Sequence, residues 1–212
     1  MSDAPHGIDE GYVKYVCDWA EGDAPDAAFV DELNRWRTPL YAAGLIGHDD
    51  THDVGFGNIS VRAPAAGQFV ISGTQTGHIA ETTGAHYALV TDVDIPANRV
   101  RCTGPIHASS EAMTHAALYA LDAEIGAVVH VHSRPLWEHY LDRLPTTDAS
   151  VAYGTPAMAA EFERLWRESE FAERRIAVMA GHDDGLLSIG PSLADAAQRM
   201  LDLKASRRSG SD

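Results

Sequence analysis

Gly126-Ala127-Val128-Val129-His130-Val131-His132-Ser133 decides how this chain is read. Small and β-branched residues in an unbroken apolar run suit a strand buried on both faces. Two histidines follow, separated by one valine. Strand side chains alternate, so His130 and His132 point the same way, roughly 7 Å apart along the strand. Two imidazoles converging from one strand end make half of a metal site, because neutral imidazole suits zinc and its first-row neighbours. The competing reading is one core histidine and one histidine at a strand end, and the stretch alone leaves both open.

Outward from this strand, helices alternate with short strands. In residues 26–44, Phe29, Val30, Leu33, Trp36, Leu40 and Tyr41 keep helical spacing. Pro39 is expected to kink or divide that helix, with Gly44 and Gly47 ending it. The polar loop His48-Asp49-Asp50-Thr51-His52-Asp53 fits either a metal site or a solvated surface. Residues 55–62 read as a loop entering a strand, and 68–72 as the second arm of a hairpin turned at Pro64 and Gly67. Residues 73–78 form a loop of small residues and hydroxyls, and 89–95 and 99–102 are two further strands. Residues 109–121 read as a helix with Met113, Ala117, Leu118 and Leu121 inward.

Beyond the histidine strand, residues 135–144 are helical. Thr155 N-caps a helix that has Pro156 at its first position and runs to about Arg167. Strands over 176–180 and 186–189 precede a last helix, capped by Ser192 with Asp195 three residues on and fading by Ser206. Strands that follow one another without an intervening helix favour antiparallel pairing. The pattern predicts an α/β fold: a mainly antiparallel sheet with helices packed on it, in a single domain over 26–206. Residues 1–25 are a loose lead-in with a short helix near 12–19, and 207–212 are a polar tail.

Composition narrows the partners. The chain has 212 residues, 45% apolar and 22% charged, the profile of a globule with a sizeable core. No apolar run approaches the roughly 20 residues of a membrane span, and the N-terminus lacks the basic and apolar segments of a signal peptide. The formal charge of −15 disfavours nucleic acid and anionic membranes. Cys17 and Cys102 are far apart in sequence and form no pair motif, which points to a reducing cytoplasm. Lys14 and Lys204 are the only lysines and both lie in terminal segments, so a lysine-imine mechanism is not expected.

Four further features bear on the histidine strand. Ser109-Ser110-Glu111 opens a helix, where free N–H groups and the dipole favour an anion; simple capping would look the same. Glu111 and His115 are four apart and share a helix face. Asn58 and Ser60, with the loop around Thr74–Gly77, offer neutral donors. Gly181-His182-Asp183-Asp184-Gly185 sets a third histidine between two strands.

Together these residues resemble the class II aldolase/adducin family. The resemblance spans about Phe29 to Leu203 and rests on Gly57-Asn58-Ile59-Ser60, Ser72 through Gly77, Ser109-Ser110-Glu111, His130-Val131-His132, Tyr153-Gly154-Thr155-Pro156 and His182 before Gly185. It implies a three-layer α/β/α fold on an antiparallel sheet, usually in a homotetramer with active sites at subunit interfaces. His130, His132 and His182 match zinc ligands, with manganese or cobalt as alternative ions. Glu111 matches the acid/base carboxylate. Asn58, Thr76, Gly77, Ser109 and Ser110 match positions that hold a substrate phosphate. The implied activity is a divalent-metal-dependent aldolase acting on a small sugar phosphate through a stabilised enediolate. Epimerisation or dehydration of a phosphorylated ketose, or a non-catalytic adducin-like binding module, are the alternatives. The sequence departs from the family at two points. Asp183 and Asp184 separate His182 from Gly185, where one of them can replace or support a ligand, and the C-terminal tyrosine of sugar-phosphate aldolases has no counterpart after Tyr153. Two other His-x-His folds fit less well. A cupin needs a glutamate sooner than Glu138, and an amidohydrolase barrel needs a longer chain.

Overall fold

Alternation along the histidine strand sets the layers of the computed structural model, which describes residues 13–51 and 53–209. Among these, the strands are β1 (Val16–Glu21), β2 (Gly47–Asp49), β3 (Val54–Phe56), β4 (Asn58–Arg62), β5 (Phe69–Ser72), β6 (Tyr87–Asp94), β7 (Arg99–Gly104), β8 (Ala127–His132), β9 (Ile176–Val178) and β10 (Gly185–Gly190). The helices are α1 (Ala27–Ala42), α2 (Ala112–Leu121), α3 (Arg134–Tyr140), α4 (Pro156–Glu168), α5 (Phe171–Arg174) and α6 (Leu193–Ser209). Eight strands form one sheet in the order β1-β7-β6-β5-β4-β8-β10-β9, and β2 with β3 make a separate hairpin. Every pairing in the large sheet is antiparallel except β1 with β7.

β8 is buried at every position because it carries a core on each face. Ala127, Val129 and Val131 pack into the layer of α1 and α6, beside Leu33, Leu40 and Met200. Val128 faces the opposite layer, where Met113 and Leu118 of α2 meet Met158 and Phe162 of α4. The architecture is therefore α/β/α, as expected, and His130 and His132 share the face of Val128.

Most elements arise for reasons visible in the sequence. Asp26 caps α1 by accepting from Ala28 N at 2.8 Å. Thr155 caps α4, its Oγ1 accepting from Met158 N at 3.3 Å and donating to Ala152 O at 2.7 Å. Thr155→Ala removes both bonds, and a loss of about 1 kcal/mol is expected, read as a lower urea midpoint at unchanged slope.

Five expectations are corrected. The short helix over 12–19 is not found across 13–19 (Tyr12 and the rest of residues 1–12 lie outside the described residues). Tyr15, Cys17 and Trp19 instead face inward at period two, and β1 joins the sheet edge beside β7. Pro39 neither kinks nor divides α1, whose buried Val30, Leu33 and Leu40 hold one continuous helix. α2 begins at Ala112, three residues late, because Ser109 to Glu111 form a turn. α6 runs into the expected tail as far as Ser209, with 210–212 outside the described residues. Cys17 and Cys102, distant in sequence, lie on adjacent strands with sulfurs 3.8 Å apart as free thiols.

Candidate metal centre

Three strands position the histidines. β10 runs beside β8 with Leu187 opposite His130 and Gly185 opposite His132. On the other side, β4 sets Asn58 opposite His130. His130 Nδ1 lies 3.1 Å from the Leu186 carbonyl. A carbonyl only accepts, so Nδ1 carries the proton and Nε2 is the nitrogen with a lone pair to offer. His130 Nε2 and His132 Nε2 are 3.0 Å apart.

His182 enters from the loop between β9 and β10. Its ring centroid is 4.9 Å from that of His130 and 4.7 Å from that of His132. One nitrogen from each of the three lies within 4.8 Å of the others, and all three rings are buried. The rings close over Gly185, where a Cβ would stand 3.2 Å from His130 Cε1 and 3.3 Å from His182 Cγ. Glycine at this position is a packing requirement of the cluster. Tyr153 stacks on His182 at 4.1 Å, Phe56 on His132 at 5.5 Å, and Lys14 Nζ sits 3.6 Å over the Tyr153 ring. Lys14 is thus nearer the centre than its place in a terminal segment suggests.

Asp183 and Asp184 turn away from the cluster. Arg134 Nε pairs with Asp184 Oδ1 at 2.6 Å, and a second guanidinium nitrogen lies 3.5 Å from Asp183 Oδ2. Ser133 N also donates to Asp184 O at 2.9 Å, which anchors the His182 loop to the start of α3. Neither aspartate joins the convergent group, so the geometry gives ligand replacement by them no support.

Glu111 is 2% exposed and stands at the N-cap position of α2. Its Oε1 is 3.2 Å from His182 Nδ1, off the line of a well-aligned hydrogen bond, and Oε2 has no partner among the described residues. Burial opposes its ionisation, but the contact with His182 and the nearby His130 outweigh that and hold the carboxyl at about 2. His115, one turn on, is fully buried. Burial pushes it down to about 3, so it is neutral, with Nδ1 2.7 Å from Ser60 Oγ. Ser60 in turn meets Tyr119 OH at 2.7 Å, which ties α2 to β4.

The remaining candidates gather at the same end of the sheet. Ser109 N donates to Ser72 O at 3.1 Å, and Thr74 N to His107 O at 3.0 Å, which joins the two candidate loops. Ser109 and Ser110 are buried; Tyr15 OH donates to Ser109 O at 2.8 Å. Gly154, at φ +64, brings its backbone against Ser110, where a Cβ would be 2.8 Å from the carbonyl. Asn58 is buried with its Oδ1 unpartnered among the described residues. Thr76 spends its hydroxyl within its own loop, donating to Gly73 O at 2.9 Å. Gly77 abuts the β2–β3 hairpin. The polar loop at 48–53 forms no comparable group: His48 is bridged to exposed Asp50 and Asp53 at 3.0 and 3.3 Å, and His52 lies outside the described residues.

The residues present suit a divalent ion. Three imidazoles and one carboxylate form a mixed nitrogen and oxygen set of the kind zinc takes. Zinc–nitrogen bonds near 2.05 Å put tetrahedral ligands about 3.3 Å apart, close to the 3.0 Å between His130 and His132. A buried carboxylate without an aligned donor is costly unless a cation satisfies it. Sequence reasoning found the histidines and Glu111. It missed Phe56, the Leu186 carbonyl and the Arg134 anchor. Only Phe56 left a trace, as the aromatic residue between Gly55 and Gly57.

An α/β/α sandwich with a buried three-histidine cluster beside a carboxylate at a helix start defines a class of fold and site. The profile of the class II aldolase and adducin N-terminal domain matches residues 40–208, and the chain belongs to this family. Solved structures agree in fold. The L-fuculose-1-phosphate aldolase of Thermus thermophilus aligns with TM-score 0.61 at 23% identity, over 87% of this chain and 93% of its own. The sugar-phosphate aldolase of Thermotoga maritima aligns with TM-score 0.61 at 15% identity, over 86% and 93%. The L-fuculose 1-phosphate aldolase of Glaciozyma antarctica gives 0.58 at 16%, over 86% and 72%. Among curated proteins none matches the sequence significantly.

Proposed function

We propose that the chain is a divalent-metal-dependent aldehyde-lyase that cleaves a small sugar phosphate. The observation that carries this reading is Glu111, a buried carboxylate without an aligned hydrogen bond, set against three convergent imidazoles. His130, His132 and His182 would hold the ion, zinc or another first-row divalent metal. When bound, it supplies a Lewis acid that polarises a substrate carbonyl. Glu111 takes and returns the proton on the adjacent carbon. Asn58, Thr76, Gly77, Ser109 and Ser110 hold the phosphate through neutral donors, and the start of α2 adds its dipole. Burial of these groups keeps water from the reacting carbon. The same groups serve epimerisation and dehydration, so product analysis names the reaction. A binding module without catalysis would have no use for Glu111 in this setting.

The reading extends to a homotetramer working in the cytoplasm on a phosphorylated small molecule. Among the described residues no helix is long and apolar enough to cross a membrane. The test is a screen of phosphorylated ketoses with the metal-loaded chain; no turnover of any would overturn the aldolase assignment. Lys14, capping Tyr153, makes one control pointed. Activity is expected to survive borohydride added with substrate and to vanish with a strong chelator, whereas the reverse pattern would mean imine chemistry.

A further inference from the structure

Arg37 is an unusual residue for α1. It is 1% exposed, and no carboxylate pairs with it among the described residues. Its guanidinium donates to Thr76 O at 2.8 Å and to Ala80 O at 3.4 Å, and lies 5.5 Å from the Tyr41 ring. Burial pulls its pKa down, with only the Tyr87 and Tyr41 rings opposing. A buried cation met by carbonyls alone is expensive, and an apolar side chain would fill the space more cheaply.

The carbonyl Arg37 grips belongs to the Thr76–Gly77 peptide. Cis peptides are absent among the described residues, and in a trans peptide C=O and N–H point in opposite directions. Holding Thr76 O against the guanidinium therefore aims Gly77 N–H away from it. That N–H is buried and donates to no described group. Its approach is kept open by Gly55, where a Cβ would stand 3.0 Å from Gly77 N and 3.3 Å from Gly77 Cα. An orphaned buried donor, facing a space that a single methyl would fill, is a binding feature without its ligand. A cation on the carbonyl also polarises the peptide and strengthens the donor at its other end.

We infer that Arg37 is a positioning residue for anion recognition, fixing the Thr76–Gly77 peptide so that Gly77 N–H meets a phosphate group and supplying, through that peptide, the positive charge the neutral cradle lacks. The inference rests on the phosphate-holding role given to Thr76 and Gly77 above. Selectivity for a phosphorylated substrate over its neutral analogue then depends on a residue that touches neither.

The test is titration of the isotope-labelled full-length chain with inorganic phosphate, following the amide resonances of Gly77, Ser109 and Ser110. The Gly77 amide is expected to shift with saturation. Arg37→Gln, which keeps one donor without the charge, is expected to bind phosphate about tenfold or more weakly, and Arg37→Lys within about threefold of wild type, in line with the greater strength of charge-assisted bonds. A purely structural role would lower the melting temperature of Arg37→Gln and leave its phosphate affinity unchanged, which would overturn the inference. So would an unmoved Gly77 amide in a wild-type chain that binds phosphate through Ser109 and Ser110, and this readout needs no variant to fold. If phosphate shifts none of these resonances in the wild type, the phosphate cradle itself is wrong and the role of Arg37 falls with it.

Discussion

Glu111→Gln is expected to slow proton exchange at the substrate's reacting carbon by about 100- to 10,000-fold, the usual contribution of a general base. The variant is nearly isosteric. An amide oxygen can face His182 Nδ1 where Glu111 Oε1 now lies 3.2 Å away, so the fold is kept. The metal ligands that come from β8 are untouched. What disappears is the only carboxylate buried against the cluster among the described residues. Solvent-deuterium exchange into the ketose phosphate identified by the screen reads the loss directly, because exchange needs proton abstraction and no later step. Exchange at the wild-type rate, with metal retained, would remove Glu111 from the chemistry and favour a binding module.

The second large effect is on stability. An ion that binds only the folded chain stabilises it by RT ln(1 + [L]/Kd), about 2.7 kcal/mol at a hundred times Kd. For a chain of this size that corresponds to a rise of about 5–11 °C in melting temperature. The chelated protein titrated with zinc is expected to show this rise, and His130→Ala and His132→Ala are expected to show none. His182→Ala should behave alike, because Asp183 and Asp184 are held by Arg134 and do not face the gap. An equal rise in all three variants would place the ion elsewhere.

Much of the fold is legible in the sequence, for physical reasons that differ by element. The apolar run of β8 and the helical spacing of α1 report burial directly, and periodicity survives translation into three dimensions. Caps are readable at Asp26, Thr155 and Ser192, since capping is local chemistry. His130 and His132 declare themselves through strand alternation, whereas His182 and Glu111 are reached only through the family resemblance. β1 escapes sequence reasoning because the few alternations of a short edge strand look much like one amphipathic helical turn. Pro39 misleads because tertiary burial of Leu33 and Leu40 outweighs one missing hydrogen bond.

The parts that stay hidden depend on distance in sequence. The carbonyl of Leu186 that sets the His130 tautomer carries no side-chain signature. Cys17 meets Cys102, and Arg134 meets Asp184, across separations that only the sheet order brings together. Arg37 looks like the polar face of an amphipathic helix, yet it is the largest of the fully buried side chains among the described residues. Charge buried against backbone is invisible to composition.

The most direct test of the metal centre is elemental analysis of the purified full-length chain alongside His130→Ala and His132→Ala. About one divalent ion per chain is expected in the wild type and well under about a tenth of that in either variant. Undiminished metal in His130→Ala or His132→Ala would contradict the assignment of these histidines as ligands.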